Sequence, residues 1–139
     1  MLEREQQDDL ISRTQEIMRQ KKSAGTRLQR LCDHLREQVD HYDWFGFYLV
    51  VPGGTELALG PFSGEPTEHV RIPFGRGVCG QAAERKDTVL VGNVELEDNY
   101  LSCSPEVQSE IVVPVFHEER VIGEIDIDSH RKEPFDASD

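Results

Sequence analysis

The sequence predicts an α+β fold: a central, mostly antiparallel sheet of five or six strands, N-terminal helices packed on one face, and one short internal helix. Three observations predict it. Apolar residues recur at helical spacing as far as Val39, and from Trp44 onward the texture is aromatic and β-branched. Only one short helical segment interrupts the strands, whereas a parallel sheet needs a long crossover between most of its strands. The length, 139 residues, is that of one domain able to bury a core without disulfide or metal staples.

The elements follow in order. Leu10, Ile11, Thr14, Ile17 and Met18 step by three and four, so the first segment is helix. Lys21–Gly25 reads as a break, with the two lysines suited to a helix C-terminus. Leu28, Leu31, Cys32, Leu35 and Val39 then form a second apolar stripe, in which Cys32 acts as a small buried hydrophobe. Trp44–Val51 is a strand, Pro52-Gly53-Gly54 a turn, and Glu56–Phe62 the returning strand. Val70–Pro73 is a short strand, Val78–Glu84 a short helix after glycines, and Thr88–Val91 another strand. Glu95–Pro105 is an irregular acidic loop. Ser109–Phe116 and Arg120–Ile127 are strands joined at His117-Glu118-Glu119. The tail, Pro134–Asp139, reads as the start of a C-terminal helix. Residues 1–40 are thus the helical part of the same domain, and residues 41–139 the sheet and its pocket.

Charge narrows the function. Asp and Glu number 27 against 15 Lys and Arg, a formal net charge of −12. Residues 1–39 are nearly balanced, so the acidity belongs to the sheet region. Such a surface repels phosphate backbones and anionic lipid, which excludes nucleic acid and membrane as expected partners. The N-terminus, MLEREQQDDL, lacks the apolar core of a signal peptide, and no run approaches a membrane span. Three cysteines without short pairing do not form a secreted disulfide framework. The expectation is a cytoplasmic protein.

Several familiar motifs fail on context. Gly75-Arg-Gly77-Val-Cys-Gly80 matches G-x-G-x-x-G, but the following helix is too short for a dinucleotide fold and Pro73 sits just before the glycines. Those glycines instead let the backbone turn beside a pocket. Cys32, Cys79 and Cys103 are far apart, and His34, His41, His69, His117 and His130 show no ligand spacing. No metal and no resident cofactor is expected, and the five histidines read as surface residues. No G-x-S-x-G nucleophile elbow is present.

A different constellation carries chemistry. Cys79 follows the glycine turn at a helix start, where amide dipoles favour a thiolate. Cys103 lies in a polar loop, Asn99-Tyr-Leu-Ser-Cys-Ser-Pro105, where a structural thiol has little to do. Asp126 and Asp128 alternate with Ile125 and Ile127, so the two acids share one face of a strand. Glu110 opens the neighbouring strand. Trp44 and Tyr48 also share a face, and an aromatic wall beside carboxylates makes a pocket for a small cationic ligand.

The runs Trp44-Phe-Gly-Phe-Tyr48, Leu59-Gly-Pro-Phe-Ser-Gly64, Arg71-Ile-Pro-Phe-Gly-Arg-Gly-Val-Cys-Gly80, Ser109-Glu-Ile-Val-Val-Pro114 and Gly123-Glu-Ile-Asp-Ile-Asp-Ser129 occur in this order. Over residues 40–139 the chain resembles the GAF-domain family of free methionine-R-sulfoxide reductases. The resemblance implies a GAF-like fold and thiol-dependent reduction of free methionine-R-sulfoxide to methionine. It implies Cys103 as nucleophile, Glu110 and Asp128 as carboxylates that hold the substrate and assist the sulfoxide, and Asp126 beside them. It implies Trp44 and Tyr48 as pocket aromatics and Cys79 as the cysteine of the G-V-C-G turn. Reducing a sulfoxide requires protonating its oxygen, and clustered carboxyls raise one another's pKa, which supplies the acid.

One departure matters. The family carries a further cysteine shortly after G-P-F-x-G-x-P; here Gly64-Glu-Pro-Thr-Glu-His-Val70 is one residue longer and has none. Resolution of a sulfenic acid then falls to Cys79 or to an external thiol such as thioredoxin. The alternative expectation is a non-catalytic GAF domain that binds a small molecule for signalling. Either form is expected to be a homodimer paired through its N-terminal helices.

Overall fold

Helix α1 spans Arg4–Met18 and α2 spans Ala24–Gln38 in the computed structural model, which describes residues 1–102 and 104–139. The Ser23 hydroxyl caps α2 by accepting from the Thr26 amide at 3.2 Å. Ala24 and Gly25, expected in the break, are therefore the first residues of the helix. The α2 stripe is confirmed: Leu31, Cys32 and Val39 are buried, with Leu28 and Leu35 partly so. In α1, Leu10 and Ile17 are buried but Ile11 is 56% exposed. The α1 periodicity thus overstates its buried face by one residue.

The strands are β1 (Trp44–Val50), β2 (Glu56–Ser63), β3 (Arg71–Pro73), β4 (Val89–Val91), β5 (Ser109–His117) and β6 (Arg120–Ser129). Helix α3 is Gly77–Arg85, and Val94–Leu96 forms a 3-10 turn inside the expected loop. The six strands lie in the order β3-β2-β1-β6-β5-β4, every neighbouring pair antiparallel. Strand β6 runs two residues beyond the expected Ile127, which brings Asp128 into the sheet opposite both Trp44 and Glu110. The β5–β6 link is a two-residue loop, Glu118 and Glu119, both in left-handed backbone conformation, with His117 paired to Arg120.

Alternation along the strands divides the core in two. Phe45, Phe47, Ile111 and Ile127 point to the face covered by α1 and α2. Trp44, Tyr48 and Val112 point to the other face, where α3 contributes Val78, Cys79, Ala82 and Ala83. Gly46 lies between Trp44 and Tyr48 on that second face, and a Cβ there would overlap the Trp44 ring. Glycine at 46 is what lets the indole lie flat along the strand.

The two chain ends are fastened to each other: the Leu2 amide donates to the Ser138 hydroxyl at 2.7 Å and the Gln7 side chain to the Ser138 carbonyl at 2.7 Å. The Asp136 carboxylate accepts from the Ser138 amide at 2.8 Å, and the Asp139 carboxylate accepts from the Asp136 amide at 2.9 Å. These bonds close a turn at the end of the chain; residues 134–139 form no helix. Asp139 also pairs with His41 at 2.5 Å. His41 is buried against Tyr42 and Phe135, so it corrects the expectation of five surface histidines. Among the described residues, no helix is long and apolar enough to cross a membrane.

Candidate active site

Strand β6 sets out three acids at alternate positions, Glu124, Asp126 and Asp128, all on the α3 face. Register then determines their neighbours. On β1, Tyr48 lies opposite Glu124, Gly46 opposite Asp126 and Trp44 opposite Asp128. On β5, Glu110 lies opposite Asp128 and Val112 opposite Asp126. Four carboxyls therefore share one sheet face, and all four are buried. Glu124 has no exposed surface and Asp126 only 2%.

Cys79 comes down on this row from the first turn of α3. Its thiol lies 3.9 Å from Glu110 Oε2. Gly75 and Gly77 before it both adopt left-handed backbone conformation, the tight turn expected of the glycine run. Asn99 staples the next loop to that turn: its side chain accepts from the Gly77 amide and donates to the Gly75 carbonyl, each at 2.8 Å. Gln81 donates to the Asn99 carbonyl at 3.0 Å.

Burial controls the protonation of these groups. It pushes Glu124 up to about 9, with the Asp126 charge adding to the shift and the neighbouring Cys79 thiol easing it slightly. Neither Glu124 oxygen, however, makes a hydrogen bond of proper geometry among the described residues, and one Asp126 oxygen is in the same state. Burial also raises Asp126, and burial with the Asp126 charge raises Asp128. The Cys79 thiol is pushed well above its ordinary value, first by burial and then by the charges of Asp126, Glu110, Glu124 and Asp128. This reverses the expectation that the helix start favours a Cys79 thiolate. The dipole effect of a single helix end is smaller than desolvation beside four acids.

Two loops cover the row. Tyr48 donates its hydroxyl to the His69 carbonyl at 2.8 Å, and Trp44 donates its indole N–H to the Glu65 carbonyl at 2.9 Å. The His69 ring meets the Ser102 carbonyl at 2.9 Å, bridging the Gly64–Val70 segment and the Asn99 loop. Beneath this bridge lies a cavity of about 10 Å³, space for one water, walled by Tyr48, His69, Cys79, Leu101, Glu110 and Asp126.

Of the residues singled out in the sequence, Cys79, Glu110, Asp126, Asp128, Trp44 and Tyr48 share this face. Trp44 does not wall the cavity; it stacks on Phe62, ring centroids 5.4 Å apart. Asp128 also lies outside the wall. Cys103 falls outside the described residues. Sequence reasoning missed Glu124 and Asn99. The parity that placed Asp126 and Asp128 on one face extends to Glu124 and could have found it. Nothing local marks Asn99, because its partners come from a separate turn.

A family model for the GAF domain matches residues 22–139, and the chain belongs to that family. Over 95 residues it is 41% identical to the free methionine-R-sulfoxide reductase of Escherichia coli, covering 68% of this chain and 56% of that protein. Among solved structures it is similar to the free methionine-R-sulfoxide reductase of Neisseria meningitidis in complex with its substrate. There the identity is 35% and the TM-score 0.90, covering 100% of this chain and 83% of the other. The type II free methionine-R-sulfoxide reductase of Thermoplasma acidophilum is 44% identical with a TM-score of 0.77, covering 81% and 79%.

Proposed function

We propose that this chain reduces free methionine-R-sulfoxide to methionine on the acidic face beneath α3, with Cys103 as the attacking thiol. The observation that carries the reading is the row of four buried carboxyls beside a buried thiol. Glu124, raised to about 9, holds a proton at neutral pH, and burial shifts Asp126 and Asp128 in the same direction, so the row can donate a proton to a sulfoxide oxygen. Losing a proton next to a bound ammonium group is favourable, so the same row recognises a free amino acid.

The reaction balances simply. The Cys103 sulfur bonds to the sulfoxide sulfur while a carboxylic acid protonates the sulfoxide oxygen. Oxygen passes to Cys103 as a sulfenic acid, methionine leaves, and the acid is reprotonated by the thiol's proton. A second thiol, that of Cys79 or of an external reductant such as thioredoxin, forms a disulfide and releases water. Two further electrons from a dithiol restore the cycle.

Substrate entry requires opening. Small-molecule pockets run to roughly 300 Å³ or more, and the cavity here holds about 10 Å³. In this reading the His69–Ser102 bridge parts and Leu101 withdraws from Gly77. The same reading includes a homodimer paired through α1, whose Ile11 is exposed. Light scattering that gives a monomer at micromolar concentration refutes the dimer.

A second reading, a binding domain without turnover, draws on the absence of cysteine from Gly64–Val70. A single-turnover assay separates the two. Reduced protein is incubated with methionine sulfoxide and the methionine formed is counted per chain. About one per chain, lost in Cys103→Ser, supports the reductase. No methionine from either protein, with dithiothreitol present, supports the binding domain.

A further inference from the structure

Three donor atoms from three different elements converge in the acidic row. The Cys79 sulfur from α3 and one carboxyl oxygen each from Glu110 on β5 and Asp126 on β6 lie within 4.8 Å of one another. A tetrahedral zinc ion has bonds of roughly 2.3 Å to sulfur and 2.0–2.2 Å to oxygen, which sets its ligand atoms roughly 3.5 Å apart. The Cys79 sulfur lies 3.9 Å from the Glu110 carboxyl oxygen, already close to this. A second observation is independent of the cluster's spacing. Both oxygens of fully buried Glu124, the next acid along β6, lack a hydrogen-bond partner among the described residues, and so does one oxygen of Asp126. Buried groups in this state are costly, and a cation with its bound water would satisfy them.

The donor set selects the ion. A thiolate with two carboxylates suits zinc, a borderline-soft ion content with four ligands. Calcium needs six to eight oxygens at longer distances, and magnesium prefers a six-oxygen shell. The cavity, about 10 Å³, has room for one water-sized ligand beside the three donors rather than for a large shell.

We propose that Cys79, Glu110 and Asp126 form a zinc site, its fourth position held by a single water in the cavity they wall. Binding is coordination without redox change: the thiol and carboxyl protons leave to solvent, and sulfur and oxygen lone pairs take their place. The ion fills the space and the charges that an amino-acid ligand would use, so it blocks that ligand. This consequence rests on the reductase reading; the binding itself does not.

The test titrates the reduced, metal-free chain with cobalt(II) under anaerobic conditions and reads the thiolate-to-cobalt charge-transfer band. One cobalt per chain, displaced by zinc, is expected. Cys79→Ser removes the band, and Asp126→Asn weakens binding by about tenfold or more, since even residues that only support metal ligands cost roughly 10–100-fold on mutation. Cys32→Ser, on the opposite face of the sheet, leaves the band unchanged. Circular dichroism verifies that each variant is folded, and Asp126→Asn decides the matter if Cys79→Ser is not. No band at stoichiometric cobalt, a band that survives Cys79→Ser, or unchanged affinity in Asp126→Asn overturns the proposal. Methionine counted in the same samples keeps the two readings apart. A cobalt band without methionine formation by the metal-free chain refutes the reductase and leaves the zinc site standing. Methionine formation without a band does the reverse.

Discussion

Glu124→Gln should make the protein more stable at neutral pH, and the gain should grow as pH rises. The side chain is fully buried, and burial moves its pKa from an ordinary 4.5 to about 9. Between those values the folded protein holds a proton that the unfolded chain has released. Stability therefore falls with rising pH by about 1.4 kcal/mol per unit from this group. The penalty is absent below the lower value and complete above the upper one. From pH 5.5 to 7.5 it grows by about 3 kcal/mol, a large share of the 5–15 kcal/mol that holds a typical domain together. The glutamine keeps the shape and carries no titrating proton, so its curve lacks this slope. Burying an amide with unmade hydrogen bonds costs about 1–3 kcal/mol at every pH, which shifts the variant's curve without tilting it. Urea denaturation of both proteins at pH 5.5, 6.5 and 7.5 gives the difference directly. Parallel curves, with the gap between variant and wild type constant across the three pH values, would refute the assignment of a raised pKa to Glu124.

Three further outcomes follow from the same geometry. Glu110→Gln should lower single-turnover methionine formation by about 10²-fold or more, the usual contribution of a positioned proton donor; an unchanged rate removes that role. Gly46→Ala should destabilise the fold by about 1–3 kcal/mol, because its Cβ overlaps the Trp44 ring; equal denaturation midpoints count against that packing. Asn99→Ala removes the side-chain bonds to Gly75 and Gly77, so the loop should open more often and Cys79 should react faster with a disulfide reagent. A labelling rate for Cys79 equal to the wild type's shows that Asn99 does not hold the cover closed.

The order of elements was legible from periodicity because each helix or strand is a local pattern. The stripe from Leu28 to Val39 needed only the helical repeat, and Asp126 with Asp128 needed only the alternation of a strand. The errors lie where non-local contacts decide. Val94–Leu96 takes up a 3-10 turn whose Val94 amide donates to the distant Gln108 carbonyl at 2.9 Å. His41 is buried because Asp139, at the far end of the chain, pairs with it. Ile11 sits on the apolar side of α1 by spacing, yet it is left exposed.

Composition and pattern by themselves determined the α+β class, the acidic sheet region and the set of residues from which a site could be made. They could not determine what those residues do to one another. Cys79 at a helix start reads as a reactive thiol, and only packing shows the burial, and the carboxyls beside it, that raise its pKa. Glu110 meets Cys79 and Asp126 because α3 folds across β5 and β6, and a distance between elements far apart in sequence is not written in either. Burial and charge act through space, so protonation and ligand geometry belong to the tertiary structure, while the periods that make each element belong to the chain.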